Sequence, residues 1–156
     1  MKTSLYNHIK AQTEIPEGLS SQLLSRVRAL DVRWAKRQGT PIREKILSVL
    51  RDDGWSRPVK LDPEIGITVG AMKEGVALCV QFGNMARFYA DLLKLQYLYL
   101  KRRATAAIYL LPTKEAAKRI GSNIAQYERL TTELEYFREI IQIPVHVSSS
   151  LLLEAS

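Results

Sequence analysis

Apolar and polar residues follow two rhythms along this chain, one of three and four residues and one of two. Leu19, Leu23, Val27, Leu30 and Trp34 recur at helical spacing, so residues 17 to 38 read as an amphipathic helix. Pro16 before it and Gly39 after it fit start and stop signals. Residues 1 to 15 show no clear period and read as a loose N-terminal arm. A second helix begins with Thr40 as N-cap, Pro41 in the first turn and Glu44 in the capping-box position. Ile46, Leu47 and Leu50 form its apolar side, and Asp53-Gly54 ends it. The rhythm then changes. Residues 57 to 61 read as a strand, and residues 65 to 71 and 76 to 82 as a hairpin around Lys73-Glu74-Gly75. Asn84 caps a long helix whose stripe is Met85, Phe88, Tyr89, Leu92, Leu95, Gln96 and Tyr99. Residues 105 to 111 form an apolar strand stopped by Pro112, and Thr113 caps a short helix ending near Gly121. Residues 123 to 140 read as a helix with Ile124, Tyr127, Leu130, Leu134 and Phe137 on one side, and residues 144 to 147 as a last strand. The order α-α-β-β-β-α-β-α-α-β predicts an α/β (α+β) fold, one domain over residues 1 to 156 with a central mixed sheet flanked by helices.

Charge adds a partner class to this picture. The formal net charge is +7, and residues 26 to 45 hold 7 basic but only 2 acidic side chains. Arg26, Arg28, Arg33, Lys36, Arg37, Arg43 and Lys45 make a patch suited to a polyanion, DNA or RNA first. Its bland reading is a solvated helical face. The single Cys79 has no internal disulfide partner, which suits a reducing compartment. No apolar run has the length of a membrane span, and the first residues lack a signal-peptide core, so the expectation is a cytoplasmic protein without membrane contact. Walker, Rossmann, zinc-finger and nucleophile-elbow patterns are all missing.

The most informative stretch is Val76-Ala77-Leu78-Cys79-Val80-Gln81-Phe82-Gly83-Asn84, a buried strand ending in polar groups where chain leaves sheet for helix. Gln81 reads either as a strand-end amide satisfied by backbone or as a group that positions water or phosphate. Asn84 reads as an N-cap, or as a phosphate contact at a helix N-terminus. Cys79 reads as a small buried residue, Asp91 as a partner of Lys94, and Glu44 as a capping-box residue.

Gln81-Phe82-Gly83-Asn84, Phe88-Tyr89-Ala90-Asp91-Leu92-Leu93-Lys94-Leu95-Gln96, Gly121-Ser122-Asn123 and Tyr127-Glu128-Arg129-Leu130, with Asp53-Gly54-Trp55-Ser56, resemble the BglII-type restriction endonucleases. The element order is also that of their PD-(D/E)XK nuclease core. The resemblance spans residues 40 to 148. It implies a strand ending in Glu-x-Gln and an Asp on the neighbouring strand, carboxylates that hold Mg²⁺ and activate water. On this chain Gln81 falls on the Gln, Cys79 on the Glu and Gly70 on the Asp. The resemblance thus implies a nuclease fold whose two acids are replaced.

Three functions follow. The first is a catalytically degenerate protein that binds DNA or a partner protein. The second is an active Mg²⁺-dependent endonuclease with acids recruited elsewhere, Glu44 and Asp62 first, and Gln81 as ligand or water positioner. The third is a regulatory or structural subunit that keeps a homodimer surface, with Leu151-Leu152-Leu153 as a docking tail.

Overall fold

Val76–Val80 is an interior strand of the fold, five residues long with every side chain buried. The computed structural model describes residues 5–149. Its elements are β1 (Leu5–His8), α1 (Ala11–Glu14), α2 (Leu19–Arg28), α3 (Gly39–Asp52), β2 (Val59–Asp62), β3 (Ile65–Val69), β4 (Ala71–Lys73), β5 (Val76–Val80), α4 (Ala86–Leu100), β6 (Ala106–Leu110), α5 (Lys114–Ile120), α6 (Tyr127–Tyr136) and β7 (Val145–Ser148). Five strands form one mixed sheet in the order β1-β7-β6-β5-β4, and β2 and β3 form a separate ribbon. The central pairs β5/β6 and β6/β7 are parallel, while β1 and β4 close the edges antiparallel.

Alternation on the central strands feeds two cores. Val76, Leu78, Val80, Ile108 and Leu110 pack with α2, α3 and α5 on one face. Ala77, Cys79, Ala107, Tyr109, Val145 and Val147 pack with α4 and α6 on the other. A strand covered on both faces can be apolar nearly throughout, which is why β5 and β6 carry no charged positions. Among the described residues, no helix is long and apolar enough to cross a membrane.

Several sequence expectations change. Residues 5 to 14 are not a loose arm: β1 pairs with β7 from Leu5↔Ser148 to His8↔Val145, and α1 follows. Backbone pairing holds this edge strand, and pairing leaves no apolar period to read. The first long helix stops at Arg28 rather than residue 38. Beyond it Leu30 and Val32 pack on the core and Trp34 is buried against Phe82, their rings 5.8 Å apart. The spacing of Leu30, Val32 and Trp34 is two, the mark of extended chain. The next helix starts at Gly39 with Gln38 at its cap and no side-chain capping bond, so Thr40 and Glu44 make no capping box. Glu44 pairs with Arg43 instead, at 3.3 Å.

The expected hairpin of residues 65 to 82 divides at Gly70. β3 pairs with β2, and only β4 pairs with β5. Glu74 and Gly75 form the two-residue turn, with φ of 50° and 77°. The helix expected over 123 to 140 is confined to Tyr127–Tyr136, because residues 123 to 125 bond the start of α4. Thr113 does cap α5, accepting from Ala116 N at 3.3 Å. Leu151-Leu152-Leu153 lies outside the described residues.

Candidate functional site

A cleft of about 510 Å³ opens where β5 ends, lined by residues of α3, α4 and the β3–β4 junction. In sheets with parallel central strands, ligands gather at the carboxyl ends of those strands, where the flanking helices diverge. Gly39 sets how close α3 comes: a Cβ there would lie 2.5 Å from the Phe82 carbonyl oxygen. The start of α4 is fixed equally firmly. Met85 N donates to Asn123 O at 2.8 Å, and Ala125 N donates to Gly83 O at 2.9 Å. Two rigid helix ends therefore face each other across Gln81.

Gln81 sits at the back of this cleft with both ends of its amide engaged. Its Oε1 accepts from Gly83 N at 2.9 Å, and its Nε2 donates to Asp91 Oδ2 at 2.7 Å. Tyr109 OH donates to the same carboxylate oxygen at 2.6 Å. Lys94 Nζ lies 3.6 Å from Asp91 Oδ1. Asp91 is buried, and this network satisfies its charge. Burial holds the Tyr109 hydroxyl well above its ordinary range, with the Asp91 charge adding to it, so it acts as a donor.

Gly70 and Cys79 line the same cleft. Ala71 pairs with Leu78, so Gly70 and Cys79 are the next positions along the antiparallel ladder. Cys79 is buried. Burial raises its thiol well above the usual range, Asp91 raises it further, and Lys94 and Arg43 oppose the shift. The thiol is therefore protonated at neutral pH.

Three cations line this cleft. Arg43 comes from α3, where its Nε donates to Val80 O at 3.0 Å and its guanidinium hangs over Gly70. Arg87 and Lys94 come from α4. Arg87 and Lys94 were not among the expected site residues. Their signal is positional: 87, 91 and 94 lie on one helix face, directly after the strand that ends in Gln81.

The remaining expected residues scatter. Glu44 is on α3 but outside the cleft lining, its side chain 59% exposed beside Arg43. Asp62 is the last residue of β2, paired with Ile65 beside the turn of the ribbon, and its Oδ1 accepts from Glu64 N at 2.8 Å. Asn84 Oδ1 accepts from Ala86 N at 2.8 Å, the helix-start role expected of it, with Met85 at the formal cap. Arg26 pairs with Asp53 at 3.2 Å, away from the cleft. Arg33, Lys36 and Arg37 are exposed on the segment between α2 and α3, and Lys45 bonds Asp31 O beside them.

The family model described as restriction endonuclease BglII/BglIII matches residues 6–147. The chain belongs to this restriction endonuclease family. Solved structures agree on the fold. The chain is similar to restriction endonuclease BglII complexed with a DNA 16-mer, with a TM-score of 0.81 and 13% identity over 95% of this chain and 75% of that one. It is similar to free BglII with a TM-score of 0.72 and 12% identity, over 95% of this chain and 78% of that one. No curated protein matches the chain.

Membership in a nuclease family raises the question of a divalent metal. Mg²⁺ takes oxygen ligands in near-octahedral geometry. At this cleft Gly70 has no side chain, Cys79 is a protonated thiol, and the Asp91 and Gln81 oxygens are already engaged. Among the described residues no group of three His, Cys, Asp or Glu is placed to hold a metal ion. The donor set does not fit Mg²⁺.

Proposed function

We propose that this protein binds DNA on the restriction-endonuclease fold and does not hydrolyse it. The observation that carries the reading is the composition of the cleft. Its lining holds three cations and one carboxylate, and that carboxylate is already committed to Tyr109, Gln81 and Lys94. The resemblance puts the family's two acids at Gly70 and Cys79, which line this cleft. Without oxygen ligands there, no metal-bound water is generated. The positive side chains still favour a polyanion. Arg33, Lys36, Arg37 and Lys45 extend the positive surface beyond the cleft, and the fold relative solved with DNA supports a duplex as the partner. Leu93 and Leu100, exposed one heptad apart on α4, support a homodimer as the form that engages it.

The test pairs plasmid cleavage in Mg²⁺ and Mn²⁺ with duplex binding across a salt series. The expected result is no cutting in either metal, and binding that weakens linearly in log–log form as salt rises. Metal-dependent cutting that disappears in Glu44→Ala or Gln81→Ala protein would overturn the reading and favour the enzyme. Absence of binding at low salt would redirect attention to a protein partner.

A further inference from the structure

Resting on that reading, we propose that the cleft is a metal-independent phosphate site, in which Arg43, Arg87 and Lys94 take the phosphoryl oxygens of a nucleic-acid backbone. The cations line the same cleft as Gly70 and Cys79, the positions the resemblance gives to the family's acids. A Cβ at Gly70 would lie 3.4 Å from Arg43 Nη2, so the guanidinium covers the space a side chain at position 70 would enter. That Nη2 makes no hydrogen bond among the described residues, whereas Nε and Nη1 are engaged with Val80 O and Glu44. The charges of Arg43 and Lys94 both act on Cys79, on the neighbouring strand position. Arg87 reaches in from the opposite side, its Nη1 3.2 Å from where a Cβ on Gly83 would stand. It is exposed and has no hydrogen-bond or ionic partner among the described residues. Lys94 stands at 3.6 Å from Asp91, a loose pairing that leaves its ammonium donors available.

Three cations against one carboxylate leave the cleft with surplus positive charge, the requirement a phosphodiester imposes. A guanidinium offers a planar fork of donors to phosphate oxygens and is charged at every working pH. It supplies what a metal supplies to binding. It has no bound water to activate. Retained binding and absent hydrolysis are then two consequences of one replacement.

Two probes test this. A labelled DNA duplex is titrated by fluorescence anisotropy in EDTA and in Mg²⁺, with wild-type, Arg87→Ala and Arg87→Lys proteins. Inorganic phosphate is titrated separately against the thermal midpoint of each. The expected result is wild-type affinity unchanged by EDTA, and a salt slope lower by about one in Arg87→Ala. Arg87→Lys keeps the charge and restores the slope. Inorganic phosphate raises the midpoint of the wild type and leaves Arg87→Ala unmoved. Duplex binding that requires Mg²⁺ would overturn the proposal. So would an Arg87→Ala protein with wild-type slope and wild-type phosphate response; the DNA-binding reading would then stand without the site. A phosphate response lost in Arg87→Ala, in a protein that binds no duplex, would keep the site and remove DNA as its ligand. No response to either probe removes both.

Discussion

Replacing Tyr109 by Phe isolates the network behind the cleft. The substitution removes one oxygen and keeps a ring that is fully buried in the α4-side core. Packing is therefore almost unchanged, and the effect is that of one hydrogen bond. The lost bond is the 2.6 Å donation to Asp91 Oδ2. Bonds to charged partners contribute roughly 1.5–3 kcal/mol, above the ordinary neutral value. Asp91 keeps Gln81 Nε2 at 2.7 Å and Lys94 at 3.6 Å, so its charge is not left bare. The expected loss is thus about 2 kcal/mol rather than the larger cost of a stranded buried ion. Urea unfolding followed by fluorescence and circular dichroism measures it, with the denaturant slope unchanged because the exposed surface is unchanged. Asp91→Leu in the same assay strands the Tyr109 hydroxyl and the Gln81 amide. The double variant Tyr109→Phe/Asp91→Leu removes both ends of the bond, and it should lose less than the two single losses added together. A Tyr109→Phe loss under about 0.5 kcal/mol, or strictly additive losses, would refute a working bond between Tyr109 and Asp91.

Two histidines and two glycines give three further outcomes. Burial lowers His8 and His146 below their ordinary range, against opposing contributions at His8 from the Ile141 carbonyl and Glu135, and with Arg138 adding to the depression. Both therefore fold as neutral rings. Their stabilisation is present above the unfolded value of about 6.5 and declines as pH falls toward the folded values, and a urea midpoint that stays flat below that point would contradict this. Gly39→Ala puts a methyl 2.5 Å from the Phe82 carbonyl, which must push α3 off the end of β5. Overpacking of this kind costs about 1–3 kcal/mol, read as a lower urea midpoint, and duplex binding should weaken with it. Gly70→Ala meets Arg43, Leu47 and the Leu78 carbonyl at 3.4 Å, ordinary contact, on backbone that does not require glycine. It should be neutral, or stabilising by about 0.4–1 kcal/mol through the unfolded chain, and a marked loss in the same assay would show that packing demands the glycine.

Elements whose signal is local were legible in the sequence. The β5 strand, the turn at Glu74-Gly75, the Thr113 cap and the α4 stripe all depend on residues a few positions apart, and each is present. What failed was set by distant chain. β1 exists because β7 supplies its hydrogen bonds from more than a hundred residues away, and Leu5-Tyr6-Asn7-His8 alone carries no strand pattern. The spacing of Trp34 from Leu30 also fits a helical turn, so sequence alone places Trp34 on a helix. Val32 between them decides for extended chain, and Phe82 is what buries Trp34.

The same division runs through the site. Gln81, Cys79 and Gly70 are marked by the family resemblance, and the antiparallel register of β4 on β5 brings Gly70 and Cys79 into one cleft with Gln81. Glu44 and Asp62 could not be judged that way, since an acid on a helix or ribbon reaches the cleft only if tertiary packing aims it there, and the packing aims Arg43 there instead. Arg43 and Glu44 are adjacent in sequence and point about 100° apart on the helix, so one residue of register decides whether α3 presents a cation or an acid to the end of β5. α3 begins at Gly39, and Gly39 is held against Phe82. The contact that holds this register is thus the close approach of Gly39 to Phe82 at the strand end, one helical turn before the residue whose charge it presents to the cleft.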